Sequence, residues 1–164
     1  MSQWRIPLYR IYTDDEDEKI VNKVIQRGNT WAIGPEIEEF ENNLREFVGM
    51  KHCVTVNSGT SALHATLLAY DIGKGDEVVV PSFSFISTAN SVVFVQAKPI
   101  FADIEEQSYG LDPQSISNKI TKNTKAVMPM DYAGQSCKIF EIKEIIQDQN
   151  ILLIEDAAES LGAS

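Results

Sequence analysis

Val54-Thr55-Val56-Asn57-Ser58-Gly59-Thr60-Ser61-Ala62-Leu63-His64-Ala65-Thr66 is a β-branched run that stops at a small polar turn and passes at once into a helix-forming run. It predicts a strand over residues 53–56 and a helix over residues 61–70. Such a step leaves the first backbone N–H groups of the helix without intrahelical partners, at the positive end of its dipole. That is a ready anion site. Gly59 lets the backbone approach an anion closely, and the hydroxyls of Ser58, Thr60 and Ser61 add donors suited to a phosphate. The plainer reading is a capped helix, with Asn57 or Ser58 as N-cap and small residues for packing.

Downstream the pattern alternates. Gly73 and Gly75 turn the chain into a strand over residues 77–80, stopped by Pro81. A helix fits residues 86–95 and a strand 99–103, and Asp112 caps a helix that opens with Pro113 and runs to about residue 120. Residues 125–130 read as a strand, 138–149 as a helix and 151–155 as a last, almost wholly apolar strand. Glu77-Val78-Val79-Val80 and Ile151-Leu152-Leu153-Ile154 show no polar alternation, so both faces of the sheet are covered. The fold class is α/β: three layers, α/β/α, around a mainly parallel sheet.

Upstream lies an arm over residues 1–12, then a helix over 15–27 with Ile20, Val21, Val24 and Ile25 on one face. Residues 31–35 form a loop. Pro35 then opens a second helix, residues 36–48, with Ile37, Phe40, Leu44, Phe47 and Val48 inward.

The 164 residues fit one domain of ordinary size, with apolar content (43%) enough for a core. A net charge of -10 argues against non-specific binding to a nucleic acid, itself a polyanion. Much of the acid lies in Asp14-Asp15-Glu16-Asp17-Glu18, read as the solvated start of a helix. Cys53 and Cys137 have no metal-ligand spacing and accompany no secretory-type leader, which suggests reduced thiols in a cytoplasmic protein. No apolar run approaches the ~18 residues a membrane span needs.

In a parallel sheet ligands gather at the carboxyl ends of the strands. Those ends carry Asn57 to Ser61, then Pro81-Ser82-Phe83-Ser84-Phe85, then Asp131-Tyr132-Ala133-Gly134-Gln135, then Asp156-Ala157-Ala158-Glu159-Ser160. An anion cradle, two aromatics and a carboxylate converge on one rim.

The blocks "NSGTSALHATLLAYDIGKGDEVVVPSFSFISTAN", "KPIFADIEEQSYGLDP", "TKAVMPMDYAGQ" and "ILLIEDAAESLGAS" closely resemble, in order and spacing, the pyridoxal-phosphate-dependent nucleotide-sugar aminotransferases of the DegT/DnrJ/StrS type. The likeness runs from about Trp31 to the last residue. It implies the major domain of a PLP-dependent transferase of the aspartate aminotransferase fold, fold type I. Ser58, Gly59, Thr60 and Ser61 match the turn that binds the phosphate of pyridoxal 5'-phosphate. Phe85 matches the aromatic lying against the pyridine ring, with Phe83 as the fallback; by composition alone either would be ordinary core packing. Asp156 matches the carboxylate that keeps the pyridine nitrogen protonated, so that the ring accepts electrons from a substrate carbanion. Glu159 stands where many relatives carry Gln against the ring hydroxyl. Trp31, Ile33 and Gly34 resemble the loop that faces the sugar nucleotide, whereas His52 and His64 match no catalytic position.

The resemblance also implies what this sequence lacks. In the family the Schiff-base lysine follows the Asp156 block after a further strand, and the sequence stops at Ser164. None of its ten lysines matches that position. Residues 1–164 are therefore expected to be the N-terminal portion of the PLP-binding large domain, without the lysine segment or the small C-terminal domain, and inactive alone. The family's seven-stranded sheet pairs the strand before the phosphate turn with the last strand. Residues 53–56 then lack that partner, which favours a homodimer, completion by a second polypeptide, or a longer protein. The implied reaction moves an amino group from an amino acid to a nucleotide-linked keto sugar. A dehydratase of the same family, and a catalytically silent cofactor- or sugar-nucleotide-binding module, are the alternatives.

Overall fold

A computed structural model of the chain describes residues 10–163; most of the arm expected over residues 1–12 lies outside them. The chain divides into two compact units, Met1–Val54 and Thr55–Ser164.

The first unit holds α1 (Asp15–Arg27) and α2 (Pro35–Phe47). The acidic run is a helix start: the Asp14 side chain accepts from the amides of Glu16 and Asp17, and Asp17 accepts from the Asp14 amide. Gly28, at φ 74, ends α1 in the left-handed conformation that a Cβ would penalise. Between the helices Arg27 meets Glu36 at 2.7 Å, and that guanidinium holds the Glu36 carboxyl below the usual carboxylate range. The inward faces expected of both helices require correction. Neither buries a residue, and Phe40 and Phe47 are 56% and 68% exposed. An amphipathic stripe is buried only where a second apolar layer covers it.

The second unit runs α3 (Gly59–Ala69), β1 (Glu77–Pro81), α4 (Ile86–Phe94), β2 (Lys98–Ala102), α5 (Pro113–Lys119), β3 (Thr124–Val127), α6 (Ile139–Ile146) and β4 (Leu152–Leu153). The strands pair in parallel in the order β2-β1-β3-β4. Val78 and Val80 face one side, against Leu63 and Leu67 of α3, Val92 of α4, Ala126, Met128 and Ile154. Val79 and Val127 face the other, against Ile116 of α5 and Ile142 and Ile146 of α6. Both faces are covered and β1 is buried throughout, which is why its sequence shows no polar alternation. The fold is α/β, three-layered, with a parallel sheet.

Two sequence expectations fail here. Residues 53–56 form no strand, because a strand exists only in a ladder and the order β2-β1-β3-β4 leaves them out. The last strand shrinks to Leu152–Leu153, continued by an isolated parallel bridge between Met130 and Asp156. That bridge carries the chain to the site.

Candidate functional site

Ser58 is the N-cap of α3, in extended conformation, and its hydroxyl oxygen accepts from the Ser61 amide at 3.1 Å. Ser61 Oγ donates to Asn57 Oδ1 at 2.7 Å and lies 3.0 Å from Ser58 Oγ, so the three side chains lock the turn together. The first intrahelical bond runs from the Ala62 amide to the Ser58 carbonyl. The amides of Gly59 and Thr60 precede it, at the positive end of an 11-residue helix. A Cβ built on Gly59 would meet nothing within 4 Å, so an anion can come close to the backbone. Both readings of this turn hold together: it is a capped helix, and the cap leaves the leading amides facing solvent. Helix α3 feeds the amino end of β1 through a turn in which the Gly73 amide donates to Asp76, so its leading end points toward the opposite, carboxyl rim.

Asp156 is fixed from several directions. Its amide donates to the Pro129 carbonyl at 2.8 Å, and its own carbonyl accepts from the Asp131 amide at 3.2 Å. The side chain, 6% exposed, accepts from the Thr88 hydroxyl at 2.7 Å on Oδ2 and from the distant Ala158 amide at 3.4 Å on Oδ1. Among the described residues it joins no ion pair. Held by one hydroxyl on Oδ2 and one long amide contact on Oδ1, the carboxyl keeps acceptor capacity on Oδ1 that a cationic donor could use. A protonated pyridine nitrogen has that charge and donor, so the residues fit the ring as the turn at Ser58 fits its phosphate.

Aromatics follow the carboxyl end of β1. Phe83 packs on Tyr132 with ring centroids 4.6 Å apart and on Tyr109 at 6.2 Å. Phe85 caps the entrance to α4 and is 68% exposed, which leaves its ring face open. Phe83 is thus engaged in a cluster and Phe85 is free to lie against a flat ligand. Glu159 receives the Ala133 amide at 2.7 Å. That bond holds the turn Tyr132–Gly134, in which Ala133 adopts φ 55, a conformation costly for a residue with a Cβ. Its carboxylate is therefore committed to backbone.

Behind the rim Asp131, 4% exposed, accepts from the Cys137 amide at 2.9 Å and the Ser160 hydroxyl at 3.2 Å. A hydrogen bond with Asp131, together with burial, raises the Glu155 carboxyl above its ordinary value. Burial, and then the Asp131 charge, push the Cys137 thiol up to about 12, so Cys137 is a packing residue and not a nucleophile. His64 sets its ring against Phe94 at 5.7 Å, a packing role.

Trp31, Ile33 and Gly34 belong to the first unit, where Trp31 and Ile33 are 64% and 81% exposed and Gly34 is buried. Thr88 is the member that sequence reasoning passed over, and Asp131 was placed on the rim without a role. The sequence signal was weak: Thr88 and Ser91 are buried with Val92, but Ser87 and Asn90 on the same helix are equally polar.

The DegT/DnrJ/EryC1/StrS aminotransferase family matches residues 12–164. The chain belongs to that family. Over 150 residues it is 39% identical to a UDP-2-acetamido-2-deoxy-3-oxo-D-glucuronate aminotransferase of Pseudomonas aeruginosa, covering 92% of this chain and 42% of that protein. The fold superposes with a TM-score of 0.89 on an aminotransferase from Psychrobacter cryohalolentis, at 32% identity, covering 99% of this chain and 40% of the other. It superposes with a TM-score of 0.88 on a GDP-4-keto-6-deoxymannose-3-dehydratase holding a trapped PLP-glutamate geminal diamine, at 28% identity over 96% of this chain and 42% of that one. The chain thus spans about two-fifths of the length of these relatives. Among the described residues no helix is long and apolar enough to cross a membrane, and no group of His, Cys, Asp and Glu could hold a metal ion.

Proposed function

We propose that Thr55–Ser164 is the pyridoxal 5'-phosphate-binding part of an aminotransferase that delivers an amino group from an amino acid to a keto sugar carried on a nucleotide. The observation that carries this reading is the buried carboxyl of Asp156 beyond the tip of β4, with acceptor capacity left on Oδ1. The names of the relatives, a UDP-sugar aminotransferase among them, supply the substrate class.

When bound, the cofactor supplies an electron sink for the carbanion formed at the transferred amine. This chain's residues do the holding. The amides of Gly59 and Thr60, with the hydroxyls of Ser58 and Thr60, would take the phosphate at the head of α3. Phe85 would cover one ring face and exclude water there. Asp156 would keep the ring nitrogen protonated through Oδ1. Glu159, through the Tyr132–Gly134 turn, shapes the rim beside the ring. Trp31, Ile33 and Gly34 would contribute to holding the sugar nucleotide.

The chain spans about two-fifths of the length of its relatives, which favours a second reading: residues 1–164 bind the cofactor, and a further segment or polypeptide completes the catalytic site. Titration of the chain with pyridoxal 5'-phosphate, followed by absorbance and by borohydride reduction, tests both. Saturable binding that Asp156→Asn weakens by roughly 10-fold or more supports the proposal. Borohydride-stable labelling would assign a usable lysine to this chain, and its absence favours completion from elsewhere. No saturable binding at all would overturn the cofactor reading.

A further inference from the structure

Thr88 lies on α4, is 1% exposed, and donates its hydroxyl proton to Asp156 Oδ2 at 2.7 Å. A carboxylate has no proton to give back, so the Thr88 proton is committed there and its lone pairs face the other way. Ser84 Oγ stands 2.6 Å from Thr88 Oγ1, a contact in which either hydroxyl can donate, and it donates to Met130 Sδ at 3.0 Å. Ser84, Thr88 and Asp156 are thus linked by two short contacts, of which the second runs from the Thr88 hydroxyl to Asp156. They tie the β1–α4 connection to the chain beyond β4.

The backbone of Asp156 is already fixed by the Pro129 carbonyl and the Asp131 amide, which leaves the side-chain torsions as its remaining freedom. Holding Oδ2 removes them. Oδ1 keeps a single contact at 3.4 Å, long for a hydrogen bond, and is the oxygen with acceptor capacity to spare. Burial sharpens the requirement, because a hydroxyl this deep has no water to replace its partner. Ser91, one turn on, donates to the Thr88 carbonyl at 2.9 Å and steadies the helix backbone beneath the site.

We propose that Thr88 is the positioning residue for Asp156: its buried hydroxyl pins Oδ2, so that Oδ1 is the oxygen left to accept from the ring nitrogen of a pyridoxal phosphate. This rests on the reading that Asp156 faces that nitrogen, and the two ideas fail separately. Using the full chain, the probes are pyridoxal 5'-phosphate and its 1-deaza analogue, in which a C–H replaces the ring nitrogen. The readout is the ratio of their dissociation constants. Asp156→Asn collapses the preference for the nitrogen-containing ring. Thr88→Val cuts the same preference by roughly tenfold, the scale of one hydrogen bond to a charged group, while affinity for the deaza analogue stays nearly constant. Thr88→Ser restores it. If T88V does not fold, T88C carries the test, since its thiol is a weak donor of similar size.

A Thr88 with only a structural role would weaken both probes alike and leave the ratio unchanged, which overturns the positioning role even where D156N still collapses it. A ratio that D156N leaves unchanged overturns the parent reading instead, and absence of binding to the unaltered chain overturns both.

Discussion

Helices α2 and α6 are both amphipathic, yet they end differently. In α6 Ile142 is 0% and Ile146 5% exposed, with Ile139 and Ile145 packed against the same cluster. In α2 Ile37, Phe40 and Phe47 are 41% to 68% exposed, and only Leu44 and Arg45 of its second half are half-buried. What separates them is the layer beneath. Helix α6 lies on a sheet face carrying Val79 and Val127, and Ile142 and Ile146 are buried in the same cluster as those valines. Among the described residues of its own unit, no sheet lies under the apolar stripe of α2. Periodicity states which face a helix would bury, but the stabilisation comes only when a facing surface removes that area from water.

Breaking this contrast should produce the largest effect on the α6 side. Ile142→Ala deletes a fully buried side chain in a close-packed layer and should cost about 3 kcal/mol, read as a shift in a urea titration followed by far-UV circular dichroism. A loss below about 1 kcal/mol would mean that the α5–α6 layer is not the rigid cover described here.

A smaller effect is expected where charge and not packing does the holding. Glu105 takes the amides of Gln107 and Ser108 and the Ser108 hydroxyl, and Lys138 stands 3.6 Å away. The Ser108 hydrogen bonds, hydroxyl first, lower the Glu105 carboxyl to about 2 from 4.5. With the folded value below the unfolded one, this group's contribution is complete above about 4.5 and is lost as pH falls toward about 2. Glu105→Gln should therefore flatten the acid limb of a stability-against-pH curve and leave the neutral plateau little changed. An acid limb identical in both proteins would remove Glu105 from the account. Glu155 works in the opposite sense: its raised carboxyl disfavours the folded state as pH rises from 4.5 through the folded value.

The smallest effect sharpens the comparison from the other side. Phe40→Ala, on the exposed stripe of α2, should change stability by no more than about 0.5 kcal/mol. A loss near that of Ile142→Ala would show that the stripe is covered in solution, by a second copy or by another segment, and sedimentation velocity would then report the association.

The site divides along the same line. The head of α3 was legible because an N-cap, a glycine and three hydroxyls in consecutive positions act locally: Ser58 and Ser61 meet across one turn. Asp156 was legible as a strand-end carboxylate after an apolar run. Its partners were not. Thr88 lies 68 residues away, and Glu159 reaches Ala133 across 26. Nothing in the spacing of either pair encodes the contact. The shortening of the last strand and the loss of the expected one over residues 53–56 have the same origin, since β structure is a property of neighbours and not of a segment.

The sequence by itself determined the helices of both units to within about two residues at most ends, the parallel doubly covered sheet, the capped turn at Ser58 and the family. Each of these follows from interactions within one turn of helix or from the apolar pattern of one strand. Only the tertiary structure decided which amphipathic faces are covered, which oxygen of Asp156 the Thr88 hydroxyl holds, and that Glu159 serves the Tyr132–Gly134 turn. Those outcomes depend on which distant surfaces meet, and a buried carboxylate takes its direction from whichever donor the fold brings within 3 Å.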